Sequence, residues 1–229
     1  MELQLFEANN GDCPYLDNRQ WLSYIFKTAA LDGSIYESLI DHGFRRSGLL
    51  FYKNNCQNCS ECISLRVLVK AFKPSKSQRK VWNKNQDITV TRQPVSFDQE
   101  SYELYAKYSV WKHGSRATEA NYEDFLVKSA VETMMMKYYL DSRLAGIGWV
   151  DVLPRSLSSV YYAFHPEFAK RSLGVYSVLK EIELAKSLNK NILHLGFWVD
   201  NCSSMDYKQH YQPYELLING RWTSTLQAN

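Results

Sequence analysis

The sequence lacks the features that direct a chain into a membrane or an oxidising compartment. No apolar run among its 229 residues approaches the roughly 20 that a membrane-spanning helix needs. The opening residues, MELQLFEANNGD, contain no basic start followed by an apolar stretch, so they do not resemble a secretory signal. The five cysteines are an odd number, which argues against a framework of disulfides. These absences predict a cytoplasmic protein with no membrane partner.

The chain also lacks internal repeats and low-complexity tracts, and its one change of character falls near residue 95. The part before it holds most of the cysteines and a basic run, whereas the part after it carries longer helix and strand patterns. We therefore predict two domains: a cysteine-bearing, basic N-terminal domain over 1–95 and a second domain over 96–229.

Acidic residues are missing from Ile63 to Gln86, a segment that contains seven cations. A charge run of this kind usually marks a solvated surface. Here Ser75, Ser77 and Gln78 are interleaved with the cations and offer hydrogen bonds to phosphate, so nucleic-acid contact is an equally open interpretation. The cations are Arg66, Lys70, Lys73, Lys76, Arg79, Lys80 and Lys84.

The local patterns of the first domain predict few elements. Residues 17–43 are typical of two helices broken at LDGS, ISLRVLV is a short β-prone run, and a helix is expected to open after Pro74.

The second domain has a more regular pattern. Helices are predicted in SFDQESYELYAKYSVW, with its first serine as the cap, and in NYEDFLVKS. Three antiparallel strands, a long helix from Arg171 and a last strand in NILHLGFWV follow. This α+β order matches the acyltransferase fold of the N-acetyltransferases (GNAT-like), in which the long helix returns the chain parallel to the third strand. We expect the ligand between those two strands, where they splay apart.

The start of the long helix resembles a CoA-binding loop in part. N-acetyltransferases use Arg/Gln-x-x-Gly-x-Gly/Ala there, so that backbone N–H groups and the positive helix end meet the pyrophosphate. Arg171 and Gly174 fit this pattern, but Tyr176 stands where the loop ends in a small residue. Because a ring there would obstruct a pyrophosphate, we expect no CoA.

The stretch CQNCSEC places three cysteines at C-x₂-C-x₂-C spacing. Clustered, reduced thiols favour zinc or an iron–sulfur cluster, both of which usually take four ligands. The pattern leaves open a metal staple in an enzyme, a zinc-stabilised RNA-binding module without catalysis, and an iron–sulfur electron carrier. The absence of a following Cys-Pro weighs against the carrier.

Many blocks of the chain together resemble one family, the aminoacyl-tRNA–protein transferases. The resemblance spans 13–222, and the short length is similar to the bacterial leucyltransferase branch, whose longer relatives transfer arginine. The blocks are CPYL from Cys13, HGFRRSG from His42, Tyr52 with the three cysteines, FKPSKSQR from Phe72, NQD from Asn85, FHPE from Phe164, SLGVY from Ser172, LGFWV from Leu195, CSSMDYK from Cys202, and Pro213, Glu215, Gly220 and Trp222.

The resemblance implies a GNAT-like aminoacyl transferase domain over 96–229 and a defined reaction. Leucine or arginine would pass from its charged tRNA to the N-terminal α-amine of a protein that begins with Asp or Glu, and the product would be marked for degradation. No ATP or CoA is needed, and we expect a monomer. One departure from the family pattern is Trp111-Lys-His-Gly114, where the family carries an Arg-His-x-x-Gly-like stretch. The donor, Leu or Arg, and the acceptance of Asn or Gln termini stay open.

The chemistry of this reaction suggests the roles of individual residues. The donor ester is already activated, so positioning and oxyanion stabilisation should dominate. Asp200 would hold the incoming ammonium, Tyr207 would donate to the oxyanion or the leaving oxygen, and Lys208 would pair with phosphate. The acidic side chain of the acceptor calls for a cation. The candidates for substrate binding are Arg45, Arg46, Ser47, Lys112, His113 and Trp198, with a fold-stabilising ion pair as the alternative for the arginines.

The resemblance also assigns the tRNA and metal sites. The basic segment would grip the acceptor stem, the long helix would receive the tRNA end, and Cys13 would complete a four-thiol site for zinc or an iron–sulfur cluster with Cys56, Cys59 and Cys62. The candidate tRNA contacts are Lys73, Ser75, Lys76, Ser77, Gln78, Arg79, Lys80, Lys84, Arg171, Ser172, Gly174 and Tyr176.

Overall fold

A computed structural model describes residues 4–200 and 202–224. Among them, the N-terminal residues build a small antiparallel sheet in the order β1-β2-β4-β3. A helix, α1 (Gly33–Asp41), packs on this sheet and begins at Asp32, whose side chain accepts a hydrogen bond from Ser34 N. The strands are β1 (Phe6–Asp12), β2 (Gln20–Lys27), β3 (Arg45–Ser47) and β4 (Leu50–Asn54).

The predicted helices over 17–43 are only half right. The break at LDGS and the helix after it are confirmed by α1, but 20–27 is strand β2, which pairs with β1 on one side and β4 on the other. The segment QWLSYIFK holds three aromatic residues and the β-branched Ile25, which suit a strand with a neighbour on each side.

The larger sheet has eight strands in the order β12-β11-β5-β10-β9-β8-β7-β6. Its strands are β5 (Ile63–Leu68), β6 (Thr89–Pro94), β7 (Thr133–Leu140), β8 (Arg143–Val152), β9 (Ser156–Phe164), β10 (Ile192–Trp198), β11 (Tyr214–Ile218) and β12 (Arg221–Ser224). The remaining α-helices are α2 (Lys76–Lys84), α3 (Gln99–His113), α4 (Glu119–Tyr122) and α5 (Leu173–Ser187).

Most predicted elements are confirmed. The helix after Pro74 is α2, and the predicted meander is β7–β9. NYEDFLVKS forms α4 and a π-helical turn over Glu123–Val127. The cap of α3 is Asp98, which accepts from Ser101 N, and not the first serine of the pattern. Because β5 and β6 join the larger sheet, residues from both predicted domains share it, and the division near residue 95 stays a prediction.

Helices cover the larger sheet on both faces. Residues 144–151 of β8 are all buried, and successive strand residues point to opposite faces. One core packs α5 on the sheet through Val178, Leu179 and Ile182, and another packs α3 there through Tyr102 and Tyr105. No helix in the described residues is long and apolar enough to cross a membrane.

A splay between β9 and β10 confirms the GNAT-like arrangement. The two strands run parallel and pair only over residues 156–158 and 192–194. Beyond this point β10 shifts its register next to Gly196, which has φ of +79°, and β9 carries an irregularity at Val160. Such irregularities re-aim side chains and end pairing. The diverging ends leave a cleft between the two strands.

Candidate active site

A cavity of about 1090 Å³ occupies the splay. The small sheet supplies one wall through residues such as Trp21 and Tyr52, and the diverging ends of β9 and β10 supply the other. The start of α5 and the segment around Tyr207 complete its lining. The cavity therefore lies where the two sheets meet, in the place expected for the ligand of this fold.

Arg45 presents a buried guanidinium to this cavity. Its Nη1 donates to Ser158 Oγ at 3.2 Å, and its Nη2 donates to the carbonyl of Ser159 at 2.8 Å. The group lies against Gly196, where an added Cβ would stand 3.4 Å from Nη2. In the part of the chain that the structure describes, these partners are neutral and no carboxylate forms an ion pair with Arg45.

Arg46 points the other way and forms the alternative predicted for it, a fold-stabilising ion pair. Its Nε and Nη2 bind the two carboxylate oxygens of Asp151 at 3.0 and 2.5 Å, and its Nη1 donates to the carbonyl of Gly48. Both side chains of the pair are almost fully buried. Consecutive residues of a strand face opposite sides, so only one of the two arginines is left for a ligand.

Lys208 is the second cation beside Arg45. It sits in a 3-10 helix (Asp206–His210), is buried, and donates from Nζ to the carbonyl of Phe197 at 2.5 Å. Burial, together with the positive charge of Arg45, lowers the pKa of Lys208 to about 7. This position places Lys208 on the cavity wall, and its predicted role in pairing with phosphate stays a prediction.

The other predicted substrate residues divide into two groups. Tyr207, Ser47, Lys112 and His113 line the cavity, and His113 Nε2 lies 3.0 Å from the hydroxyl of Tyr161. Two do not line it: Asp200 is exposed after β10, and Trp198 packs on the main core.

The electrostatic character of the cavity is one-sided. Among the described residues that line it there is no Asp or Glu. The cationic or potentially cationic side chains of the lining are Arg45, Arg46, Lys112, His113 and Lys208. Because Arg46 is neutralised by Asp151, the net effect is a pocket suited to anionic and neutral groups.

A buried carboxyl behind the cavity was missed by sequence reasoning. Glu181 of α5 is 1% exposed; its Oε1 accepts from Ser159 Oγ at 3.2 Å, and its Oε2 has no hydrogen-bond partner among the described residues. Burial raises the pKa of Glu181 to about 8. The available signal was its helical position, because the apolar residues Val178 and Ala185 lie three before and four after it.

The predicted tRNA residues of α2 form an exposed basic surface with structural exceptions. Lys73, Lys76, Ser77, Arg79, Lys80 and Lys84 are exposed. Ser75 is also exposed and caps α2, but Gln78 is buried, accepts from Ser75 N and donates to the carbonyl of His210. The helix packs on α5, and Lys84 Nζ donates to the carbonyl of Lys170, so the basic surface reaches the start of α5.

Of the residues predicted at the start of α5, some line the cavity and others do not. Ser172 and Gly174 line the cavity, and a Cβ added at Gly174 would meet nothing within 4 Å. Arg171 instead binds both carboxylate oxygens of Asp87 at 2.8 Å. Tyr176 is turned into the core, where its ring lies 5.7 Å from that of Trp82. The expectation that this ring obstructs the helix start is therefore wrong, and so is a tRNA contact through it.

The four cysteines predicted to converge lie at the end of the small sheet nearest the cavity. Burial is the main cause that raises the pKa of Cys62 to about 11, and the charges of the nearby Cys13, Cys56 and Cys59 contribute to the rise. All are free of disulfides. However, no three Cys, His, Asp or Glu side chains of the described residues are arranged to hold a metal ion. A metal or cluster on these thiols therefore stays a prediction.

Comparison with known proteins identifies the family. The chain matches the family models for arginine-tRNA-protein transferase, its N terminus over 11–80 and its C terminus over 100–218. It is 39% identical over 215 residues to an aspartate/glutamate leucyltransferase of Chromobacterium violaceum, which covers 92% of this chain and 89% of that one. It is 37% identical over 227 residues to a protein of the same name from Saccharophagus degradans, which covers 96% of each.

Solved structures add a likeness of fold alone. The crystal structure of FemX superimposes with a TM-score of 0.52 at 10% identity, over 77% of this chain and 64% of that chain. Sequence matches to both halves of the family, along nearly the full length of its curated relatives, are more specific than this fold. The chain belongs to the arginine-tRNA–protein transferase family, and it is an aminoacyl-tRNA–protein transferase.

Proposed function

We propose that the protein transfers leucine, and not arginine, from its charged tRNA to the N-terminal α-amine of proteins that begin with Asp or Glu. The observation that carries this proposal is the one-sided cavity, which has cations and no described acidic residue in its lining. The leucyltransferase names of the curated relatives point the same way.

The charges that line the cavity favour a donor side chain without a positive charge. An arginyl group would bring a second guanidinium next to Arg45 and Lys208 with no carboxylate to receive it, which costs several kcal/mol in a poorly solvated site. A leucyl group needs only apolar contact, and Val160, Leu195 and Phe197 offer it. Leucine is therefore the donor that the cavity accepts without an unpaired charge.

The same cations favour an acidic side chain on the acceptor. The guanidinium of Arg45 has no ion-pair partner among the described residues, and the buried ammonium of Lys208 is close enough for Arg45 to lower its pKa. A carboxylate bound between them would relieve both charges. Charge-assisted hydrogen bonds of this kind select Asp or Glu over Asn or Gln by about 1.5–3 kcal/mol. Bound carboxylate also keeps Lys208 protonated, so Lys208 would hold the substrate and would not act as a base.

The reaction then needs mainly orientation. The α-amine attacks the ester carbonyl, and a hydroxyl donor at the developing oxyanion lowers the barrier. Tyr207 lines the cavity and fits that role. The 3′ end of the tRNA would lie along the start of α5 near Gly174, and the exposed cations of α2 would contact the phosphates of the acceptor stem. The tagged protein would be a degradation substrate in the cytoplasm, and the enzyme would act as a monomer.

The decisive test is a donor and acceptor matrix. Purified protein is incubated with labelled leucyl- or arginyl-tRNA and peptides that differ only in an N-terminal Asp, Asn or Ala. We expect transfer of leucine to the Asp peptide alone at a substantial rate. Transfer of arginine at an equal rate would contradict the donor assignment, and transfer of neither amino acid would favour a non-catalytic RNA-binding module.

We further propose that Cys13, Cys56, Cys59 and Cys62 close around zinc or an iron–sulfur cluster. The support is the electrostatic proximity of the four thiols and their donor chemistry. The bound group would staple the end of the small sheet. Elemental analysis of anaerobically purified protein, together with its absorbance at about 400 nm, distinguishes zinc from an iron–sulfur cluster. Absence of both metals, and no uptake on reconstitution, would contradict the site.

A further inference from the structure

We propose that Glu181, acting through the hydroxyl of Ser159, is the terminal acceptor for the proton that the acceptor α-ammonium loses during transfer. The inference rests on the proposed function and adds a residue pair that no predicted role includes. Ser159 lines the cavity, whereas Glu181 lies behind it and does not touch a substrate.

The geometry links the carboxylate anchor to this pair through one residue. The carbonyl of Ser159 accepts from Arg45 Nη2 at 2.8 Å, while its hydroxyl donates to Glu181 Oε1 at 3.2 Å. In an aspartyl terminus only two carbon atoms separate the side-chain carboxyl from the α-nitrogen. A carboxylate held by Arg45 therefore places the α-ammonium within reach of the Ser159 hydroxyl.

The surroundings of Glu181 do not compensate the negative charge of its carboxylate. It forms no ion pair in the described part of the chain, and Oε2 is buried without a partner. Burial raises its pKa to about 8, which matches the α-amine value of about 7.7–8.0. Matched values make proton transfer between the two groups nearly thermoneutral. Among the described residues, the titratable groups that face Glu181 from packed elements are all phenols, namely Tyr138, Tyr162, Tyr207 and Tyr211.

Proton transfer and aminoacyl transfer are coupled in this step. An N–H proton of the ammonium moves to Ser159 Oγ as the Ser159 proton moves to Glu181 in its ionised form, which a pKa of about 8 leaves as roughly a tenth of the molecules at about pH 7. The neutral amine attacks the ester carbonyl carbon, the bond to the ribose oxygen of the tRNA breaks, and a second amine proton goes to that oxygen. Glu181 then returns its proton through Ser159 to water when the product leaves. No oxidant, metal or nucleotide enters the step.

The test is a pH series of kcat/KM for an Asp peptide with leucyl-tRNA, using wild type, Glu181→Gln and Ser159→Ala. At about pH 7 roughly a tenth of the amine is already neutral without help, so we expect each variant to lose up to about tenfold. At about pH 9.5 nearly all of the amine is neutral, so the ratio of wild type to variant should fall towards one. The double variant should be no slower than Glu181→Gln, because the two residues act as one unit.

Glu37→Gln is the matched control. Glu37 is also buried and accepts from a serine of β9, Ser156, but it is paired with Arg155 and lies outside the cavity lining. Its ratio to wild type should stay constant with pH. A constant ratio for Glu181→Gln, or for Ser159→Ala should the first variant not fold, would overturn the relay. Absence of transfer by wild type at every pH would refute the proposed function instead.

Discussion

Buried charge is handled in opposite ways in two neighbouring regions of the molecule. In the seam, defined here as the contacts of the small sheet and α1 with the larger sheet, cations and carboxylates are matched. Arg46 binds Asp151, the exposed Arg155 binds the buried Glu37, and Arg66 binds Asp41. In the cavity, Arg45 and Lys208 have neutral partners, and Glu181 behind it accepts only from a serine.

The difference assigns the seam to the fold and the cavity to substrate. A buried ion pair is self-sufficient, whereas an unpaired buried charge costs stability unless a ligand completes it. Adjacent residues of β3 are divided between the two regions, since Arg46 enters the seam and Arg45 the cavity. The distinction therefore lies in partners and not in residue type.

The largest effect is expected from breaking the seam. Asp151→Asn leaves the buried guanidinium of Arg46 without its counter-charge and should lower the free energy of unfolding by about 3–5 kcal/mol. Denaturant titration measures it. Asp124→Asn is the control, because its pair with Lys128 is exposed and should be worth less than about 1 kcal/mol. Equal effects of the two substitutions would refute the contrast between seam and surface.

The corresponding change in the cavity should affect activity and not stability. Arg45→Met removes the proposed anchor of the acceptor carboxylate, and the ratio of kcat/KM for Asp over Asn peptides should fall by about 10- to 100-fold. The free energy of unfolding should not decrease by the amount seen in the seam, because no buried carboxylate is orphaned. An equal loss for both peptides would show that Arg45 does not read the acidic side chain.

Sequence patterns predicted most of the fold because helical and strand periodicity reports burial directly. They failed at 20–27, where β2 is a strand only because β1 and β4 flank it. They also could not decide which of Arg45 and Arg46 faces the substrate, since the partner that separates them, Asp151, is 105 residues away from Arg46 in the chain. Ser159 and Glu181 escaped notice for the same reason: neither has a motif, and only the fold brings them together.

The pH dependence of stability should have opposite signs for the two buried glutamates. Hydrogen bonds from Ser156 and Arg155 outweigh burial and lower the pKa of Glu37, so this group stabilises the fold above its unfolded pKa and less as pH falls. Burial raises the pKa of Glu181 from 4.5 to about 8, so the folded state keeps a proton that the unfolded state releases. Glu181 therefore lowers the free energy of unfolding progressively as the pH rises between those two pKa values.

Thermal unfolding of two variants measures this contrast. Glu37→Gln should melt below wild type at neutral pH and approach it at acid pH. Glu181→Gln should gain on wild type as pH rises from about 5 to about 8 and then stay level, with differences of a few degrees. Parallel curves for the two variants would show that Glu181 is compensated in the same manner as Glu37.

The smallest effect is expected at the exposed cations of α2, outside both regions. Lys76→Gln should weaken leucyl-tRNA binding only a few-fold and reduce the slope of log affinity against log salt by about 1, because one phosphate contact is lost. Lys190→Gln is the control, since Lys190 is half-buried and follows the far end of α5, where its Nζ donates to the carbonyl of Pro154. In binding measurements across a salt series, Lys190→Gln should leave the slope of log affinity against log salt unchanged. An equal change in slope for both lysines would mean that net charge, and not the placement of α2 beside the cavity, attracts the tRNA.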